Sequence, residues 1–499
     1  MTSPSRTRLL ALWASAAVVL SACGGGSDGI PAPVQSPPPP ASGTPPGGID
    51  GGGSGGSDKL VPTATLTAPA ALADNLTGTL QVTADAADNI GVASVEFQVD
   101  GIPVGSPDTS APYAVTVNTA DHAAGQHIVR ARSRDAAGNV SPWSAATVRF
   151  GGTASVPKGF TKAEGWVSGL SFATAMAQLP DGRLLVAQQG GQLRLVKNGQ
   201  LVPGALASFT VDSAGERGLI GVAVHPNFSE NGWVYVHYTS VVNGPHGRIS
   251  RVTMIGDAAA GEEVLVDLPA LRTATNHNGG AIHFGPSDGK LYVAVGDNAD
   301  GTQAGDLDKV FGKILRFNDD GTYPADNPYL SRPGQAKAIW ARGLRNPFTF
   351  GIQPATGTMY INDVGEDTWE EINIGAKGAH YGWPATEGPT DNTNYTSPVF
   401  AYKQTAAVPP GSGPGGFFTG QSIVGGSFYP AGGAFPAAFH GNYFFADFVS
   451  KFVARLDPAN GHAAYAFAKV TDSPVDVLAG RDGALYVLGR DTITRITAP

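Results

Sequence analysis

The feature that most constrains this chain is a unit that recurs through its C-terminal two thirds: a tight Gly-containing turn followed at once by an alternating apolar strand. It occurs as LPDGRLLVAQQ (Leu179 to Gln189), GPSDGKLYVAVGD (Gly285 to Asp297) and GRDGALYVLGRD (Gly480 to Asp491). QPATGTMYINDVG (Gln353 to Gly365) has Thr-Gly at the turn, HPNFSENGWVYVHYT (His225 to Thr239) has Asn-Gly, and NDDGTYPAD follows the pattern in part. A two-residue turn of this kind closes a hairpin, because glycine reaches the backbone angles that the twist of the strands demands. Similar hairpins repeated along a chain imply similar antiparallel sheets packed radially, a β-propeller. Six blades are expected over residues 158–499. A β-helix would need a regular period that is missing, and one sandwich could not use so long a stretch.

Residues 59–150 read as a separate small β-sandwich. Short runs such as VEFQVDG and HIVRARS alternate, with Val95, Phe97 and Val99 on one face and Glu96 and Gln98 on the other. DNIGVASVEFQVDG and ARSRDAAGNVSPWS resemble bacterial Ig-like modules, which implies a spacer or an adhesive unit. Before it, residues 24–58 are Pro-rich and then Gly-rich, without apolar periodicity, and so read as a tether.

Residues 1–23 read as an export signal. Arg6 and Arg8 precede an apolar stretch from Leu9 to Leu20, too short to span a bilayer comfortably. LSAC, ending at Cys23, resembles the bacterial lipoprotein processing box, and Cys23 is the chain's one cysteine. An intramolecular disulfide is therefore excluded. A lipid on Cys23 would anchor the chain in the cell envelope. The absence of aspartate after it makes the outer membrane the expected destination. The net charge of −9 and the lack of a Lys/Arg cluster argue against nucleic acid as a partner.

Four segments carry candidate chemistry. His277, in TNHNGGAIHFGPSDG, is either a base in a glycine-lined pocket or a loop histidine without a role. Asp297 ends an apolar strand and could orient a histidine or cap a turn. IWARGLRNPFTF places Arg342, Arg345 and Asn346 among apolar residues, where an arginine needs an anion or an inter-blade ion pair. INDVGEDTWEEINIGAKGAHYGWP holds Asp363, Glu366, Asp367, Glu370 and Glu371, followed by Tyr381 and Trp383. Such a segment suits a hard cation such as calcium, or is a solvated acidic loop. No dinucleotide fingerprint, phosphate loop, serine elbow, HExxH or CxxCH is present.

Taken in order, ERGLIGVAVHPNFSENGWVYVHYT, NHNGGAIHFGPSDGKLYVAVGD, FGKILRFNDDGTYPADNPY, IWARGLRNPFTFGIQP and DVGEDTWEEINIGAKGAHYGWP resemble the glucose/sorbosone dehydrogenase family of soluble PQQ-dependent sugar dehydrogenases. The resemblance runs from about Gly165 to the C-terminus. It implies a six-bladed propeller with PQQ above Ca2+ in a central cleft, and oxidation of an aldose or related sugar. By the same resemblance His277 is the base and Asp297 its orienting carboxylate. Arg345 and Asn346 hold the quinone oxygens, and Asn276 touches the cofactor. Gly365 and Glu366 offer carbonyls to calcium. Glu370 is an acid near the site, Tyr381 a wall residue, and Gln188 or Gln189 lies near a PQQ carboxylate. The electron acceptor would be external, a quinone or a small redox protein. This chain departs from the pattern at Ser473 and Val475, where relatives carry basic residues against the PQQ carboxylates, and at Val364. The departure leaves a second reading open: a non-enzymatic surface propeller that binds carbohydrate or protein.

Overall fold

The computed structural model describes residues 58–404 and 415–498; Cys23, the export signal and nearly all of the tether lie outside them. Beyond the sandwich the chain repeats one pattern, an antiparallel sheet of four strands taken in sequence order. The first strands of the successive sheets are Ala173–Gln178, Leu219–Val224, Ile282–Phe284, Pro347–Ile352, Ile423–Phe428 and Pro474–Ala479. The first sheet has an additional short strand, Ala207–Ser208, paired with Gln192–Lys197. The sixth takes its fourth strand from the start of the region, Thr161–Ser168, which pairs with Thr492–Thr497. These repeated sheets are consistent with propeller blades.

The recurring sequence unit is the hairpin between the first and second strand of a sheet. Its turn glycines Gly182, Gly232, Gly289, Gly357 and Gly483 have φ between 65° and 90°, the left-handed region where a Cβ is unfavourable. Gly441 (φ 74°) plays the same part in the fifth sheet, before Tyr443–Asp447, and sequence reading missed it because no Asp or Asn precedes it. The NDDG turn is different: it follows Lys313–Phe317, the third strand of its sheet, and leads to the fourth.

Second strands are buried from end to end, as in Leu184–Gln188, Leu291–Val295 and Leu485–Gly489. A strand enclosed on both faces must be apolar throughout rather than alternating. Leu185, Val222, Val234 and Val236 pack between the first and second sheets, and Tyr235, Ile249, Val293 and Leu315 between the second and third.

The sandwich has two sheets, one of Thr63–Ala68, Thr79–Ala87 and Tyr113–Asn118, the other of Ile102–Pro103, Val92–Val99, Gly125–Asp135 and Ser144–Phe150. Val95, Phe97 and Val99 face its core. It is docked on the fifth sheet rather than held away from it. Gln126 donates to Ala464 O (2.9 Å) and accepts from Phe417 N (2.7 Å). Arg455, fully buried, donates to Asp100 O (2.7 Å) and lies over the rings of Phe439 and Tyr465. A buried guanidinium that reaches across two modules orients them, since withdrawing it would strand a charge.

Candidate active site

In each sheet the start of the first strand and the end of the second meet at one edge, as the pairs Pro347↔Asp363 and Pro474↔Gly489 show. Loops at that edge carry the candidate residues. His277 precedes the first strand of the third sheet and Asp297 follows its second, while Arg345 and Asn346 precede the first strand of the fourth. One edge therefore gathers side chains that the sequence separates by up to 69 positions, from His277 to Asn346.

His277 is buried and held in a left-handed backbone conformation (φ 54°), as are Asn298 (φ 54°) and Ala299 (φ 55°). Such strain persists only where surrounding bonds enforce it. Here His277 N donates to Glu216 Oε2 (2.8 Å), and His277 O accepts from Asn298 N (3.1 Å). Gly296 must be glycine: a Cβ there would sit 2.2 Å from His277 O. The imidazole Nδ1 lies 2.8 Å from Asp297 Oδ1. Asp297 is itself buried, and accepts from Ala299 N (2.8 Å) at Oδ1 and from the Trp383 indole (2.8 Å) at Oδ2. A carboxylate so surrounded by donors acts as an acceptor. In the tautomer that donates from Nδ1 to this acceptor, Nε2 carries the lone pair. This is the geometry of an oriented general base.

Asn346 is buried and joins three loops. Its Oδ1 accepts from Gly279 N (3.0 Å), its Nδ2 donates to Glu216 Oε2 (3.2 Å), and its N donates to Asp363 Oδ1 (2.7 Å). Arg345 N donates to Asp363 Oδ2 (2.9 Å). Its guanidinium lies 5.6 Å from the Trp383 ring and donates through Nη1 to Gly365 O (2.6 Å) and Val364 O (3.1 Å). Arg345 Nε is buried without a partner among the described residues. An orphaned charged donor of this kind is costly unless a ligand oxygen completes it.

The acidic segment divides by burial. Glu366 and Asp367 are exposed. Asp363, Glu371 and Glu387 line one cavity with Arg345, Gly365, Tyr381 and Trp383. Burial, reinforced by Glu371, holds the Asp363 carboxyl well above its usual range, and burial pushes Glu371 up to about 7. The Val364 and Gly365 carbonyls face the Arg345 guanidinium, and the cavity beside them is rich in carboxylate oxygens, the donor type a hard divalent ion takes.

Other candidates sit differently. Tyr381 is a buried wall residue whose hydroxyl donates to Ile374 O (2.8 Å). Asn276 is half-buried beside His277. Glu370 is fully buried away from the cavity, accepting from Ile423 N (2.8 Å) and Gln404 Nε2 (2.7 Å). Gln189 donates to Gly215 O (2.6 Å) and Arg217 O (3.0 Å), on either side of Glu216. Gln188 bonds Ser171 O (2.9 Å). Sequence reasoning assigned no role to Glu216, which ties His277 to Asn346. Its signal was position: like His277 and Arg345, it is a polar residue in a loop entering a first strand.

Repeated four-stranded antiparallel sheets, consistent with propeller blades, thus carry a buried His277–Asp297 pair, an arginine and an oxygen-lined cavity at one edge. The comparisons give the particular family. Residues 170–497 match the glucose/sorbosone dehydrogenase family and residues 62–131 match the bacterial Ig domain. The chain belongs to the glucose/sorbosone dehydrogenase family, and this homology supports oxidoreductase activity. It is 32% identical over 266 residues to the aldose sugar dehydrogenase YliI of Escherichia coli, covering 48% of this chain and 69% of that one. It is 30% identical over 210 residues to quinoprotein glucose dehydrogenase B of Acinetobacter calcoaceticus, covering 37% and 43%. Among solved structures, the apo-form of the soluble E. coli aldose sugar dehydrogenase superposes with a TM-score of 0.59 at 26% identity, covering 68% of this chain and all of that one.

Proposed function

We propose that this chain oxidises an aldose or related sugar with PQQ and Ca2+, using His277 as the base that takes the proton from the sugar hydroxyl. The observation that carries the reading is the His277–Asp297 pair, 2.8 Å apart and fixed from both ends. Asp297 keeps the proton on Nδ1, so Nε2 is the atom that accepts, and the charge that develops on the imidazole is balanced by the carboxylate. The orphaned Nε of Arg345 fits a quinone oxygen. The carbonyls of Val364 and Gly365, together with the Asp363 and Glu371 carboxylates, would hold calcium; Glu366, exposed, would offer only its carbonyl. When bound, PQQ supplies the two-electron acceptor that no side chain can provide. Tyr381 and Trp383 wall the cavity and Asn346 keeps the three loops in register. Electrons leave to an external acceptor.

The architecture proposed around this site is a six-bladed propeller over 158–499 that closes through Thr161–Ser168. The bond from Met176 N to Asp476 Oδ2 (2.9 Å), joining the first and sixth sheets, supports that closure. The Ig-like module takes 59–150, the tether 24–58 and the signal 1–23, with a lipid on Cys23 holding the enzyme in the cell envelope, at the outer membrane. Among the described residues no helix is long and apolar enough to cross a membrane. The test of the base is H277A in PQQ- and calcium-loaded protein. Sugar turnover should collapse while cofactor binding persists; undiminished turnover would refute the assignment.

A further inference from the structure

At the same edge of the sheets, away from His277, stands a cation without a direct ion pair among the described residues. Arg490 follows Leu485–Gly489, the second strand of the sixth sheet, and is half-buried. Its guanidinium donates to two neutral acceptors, Ala173 O (3.1 Å) and Gln189 Oε1 (2.5 Å), and forms no ion pair with a described residue. The nearest acids act on it only through space. One of them, Asp472, is occupied by the loop itself, its Oδ2 accepting from Asp491 N (2.8 Å), Thr492 N (3.0 Å) and Thr492 Oγ1 (3.0 Å). Burying part of a guanidinium against neutral oxygens is unfavourable, and an incoming anion would reverse that.

Beside it lies an aromatic ring that the fold leaves in solvent. Phe172 is 61% exposed, has a left-handed backbone (φ 51°), and places its ring centroid 5.0 Å from the Arg490 guanidinium. The two are locked together: Ala173 N donates to Arg490 O (2.8 Å) and Gln189 N donates to Phe172 O (2.9 Å). A fixed cation next to an open aromatic face suits a flat, anionic ring system. By contrast, Ser473 and Val475 offer no cation. Val475 is 2% exposed and packs in a core with Val167, Leu170 and Tyr486, and Ser473 is uncharged. Gln189 also connects Arg490 to the loop of Glu216, and through it to His277.

We infer that Arg490, with Phe172 beside it, receives a carboxylate of PQQ in this chain, a charge that neither Ser473 nor Val475 can meet. The inference rests on the cofactor reading above. It is tested by fluorescence titration of the calcium-loaded full chain with PQQ and with PQQ trimethyl ester, whose carboxylates carry no charge. Wild type should bind PQQ at least about tenfold tighter than the ester. R490Q should weaken PQQ by about tenfold or more and leave the ester within about twofold; R490K should fall between. F172A should weaken both ligands by a few-fold. Unchanged PQQ affinity in R490Q, or equal loss of PQQ and ester, would overturn the inference while leaving the cofactor reading intact. Wild type that binds neither ligand would overturn the cofactor reading, and this inference with it.

Discussion

The loops of the third and fourth sheets and the strands joining the fourth to the fifth both bury carboxylates, and they use them in opposite ways. On the first side, Asp297 accepts from an imidazole that keeps a free lone pair, and Asp363 carries the backbone of Arg345 and Asn346. On the other, both oxygens of Glu370 are taken by Ile423 N and Gln404, and Asp447 accepts from Tyr402, Gln421, Ser422, Val449 and Ser450. Burial raises the pKa of both acids. The contrast with Asp297 lies in the donor: Glu370 and Asp447 are held mostly by backbone N–H groups, Asp297 by an imidazole. A backbone N–H has nothing further to give, whereas an imidazole has its second nitrogen.

The sharpest way to break this contrast is to remove the base on one side and a strut on the other. H277A should lower turnover about 10³-fold with cofactor affinity little changed, measured by dye reduction and fluorescence titration. D297N, which disturbs the tautomer but not the volume, should cost about 10²-fold in turnover. If D297N matched wild type, the orienting role of Asp297 would fall. The acids of the cavity should show themselves in stability instead. Glu371 titrates near 7 in the fold and near 4.5 unfolded, so the folded state holds the extra proton between those values. Stability of the calcium-free protein should therefore fall as pH rises from about 4.5 to 7, with Glu371 contributing about 3 kcal/mol of the loss. Thermal unfolding in chelator should show this slope, E371Q should lessen it while Asp363, Glu370, Asp447 and Asp476, raised in the same sense, keep the rest, and added calcium should lessen it too by favouring the ionised carboxylates. A flat profile in the wild type would contradict the burial of that cluster. Last, E370A should destabilise by about 2 kcal/mol through the unpaired Ile423 N–H and Gln404 amide, with PQQ affinity unchanged. A loss of PQQ affinity without a loss of stability would return Glu370 to the site.

Turn chemistry made the fold legible. Asp181-Gly182, Asp288-Gly289 and Asp482-Gly483 each mark a first hairpin, and the strands that follow are the apolar runs they promised. Gly441 escaped because its turn lacks the Asp or Asn signal. For the site, single windows left His277 and Asp297 open, because a base and a loop histidine look alike until the partner is in place. A role for them was implied only by family resemblance. Glu216 offered the sequence no more than a loop position, and Arg490 nothing: each makes its contacts on other sheets, with His277 and Asn346 in one case and Phe172 and Gln189 in the other. The docking of the sandwich was equally hidden, since Gln126 reaches Phe417 and Ala464 across 291 and 338 residues, and Arg455 reaches Asp100 across 355.

The central claim is that the His277 edge is a working quinoprotein site. Its most direct test is reconstitution of the purified metal-free chain with PQQ and calcium, followed by reduction of an artificial dye across a panel of aldoses. The account predicts a bound-cofactor spectrum and turnover on at least one sugar, both dependent on PQQ. A chain that takes up no cofactor and turns over no sugar would contradict it.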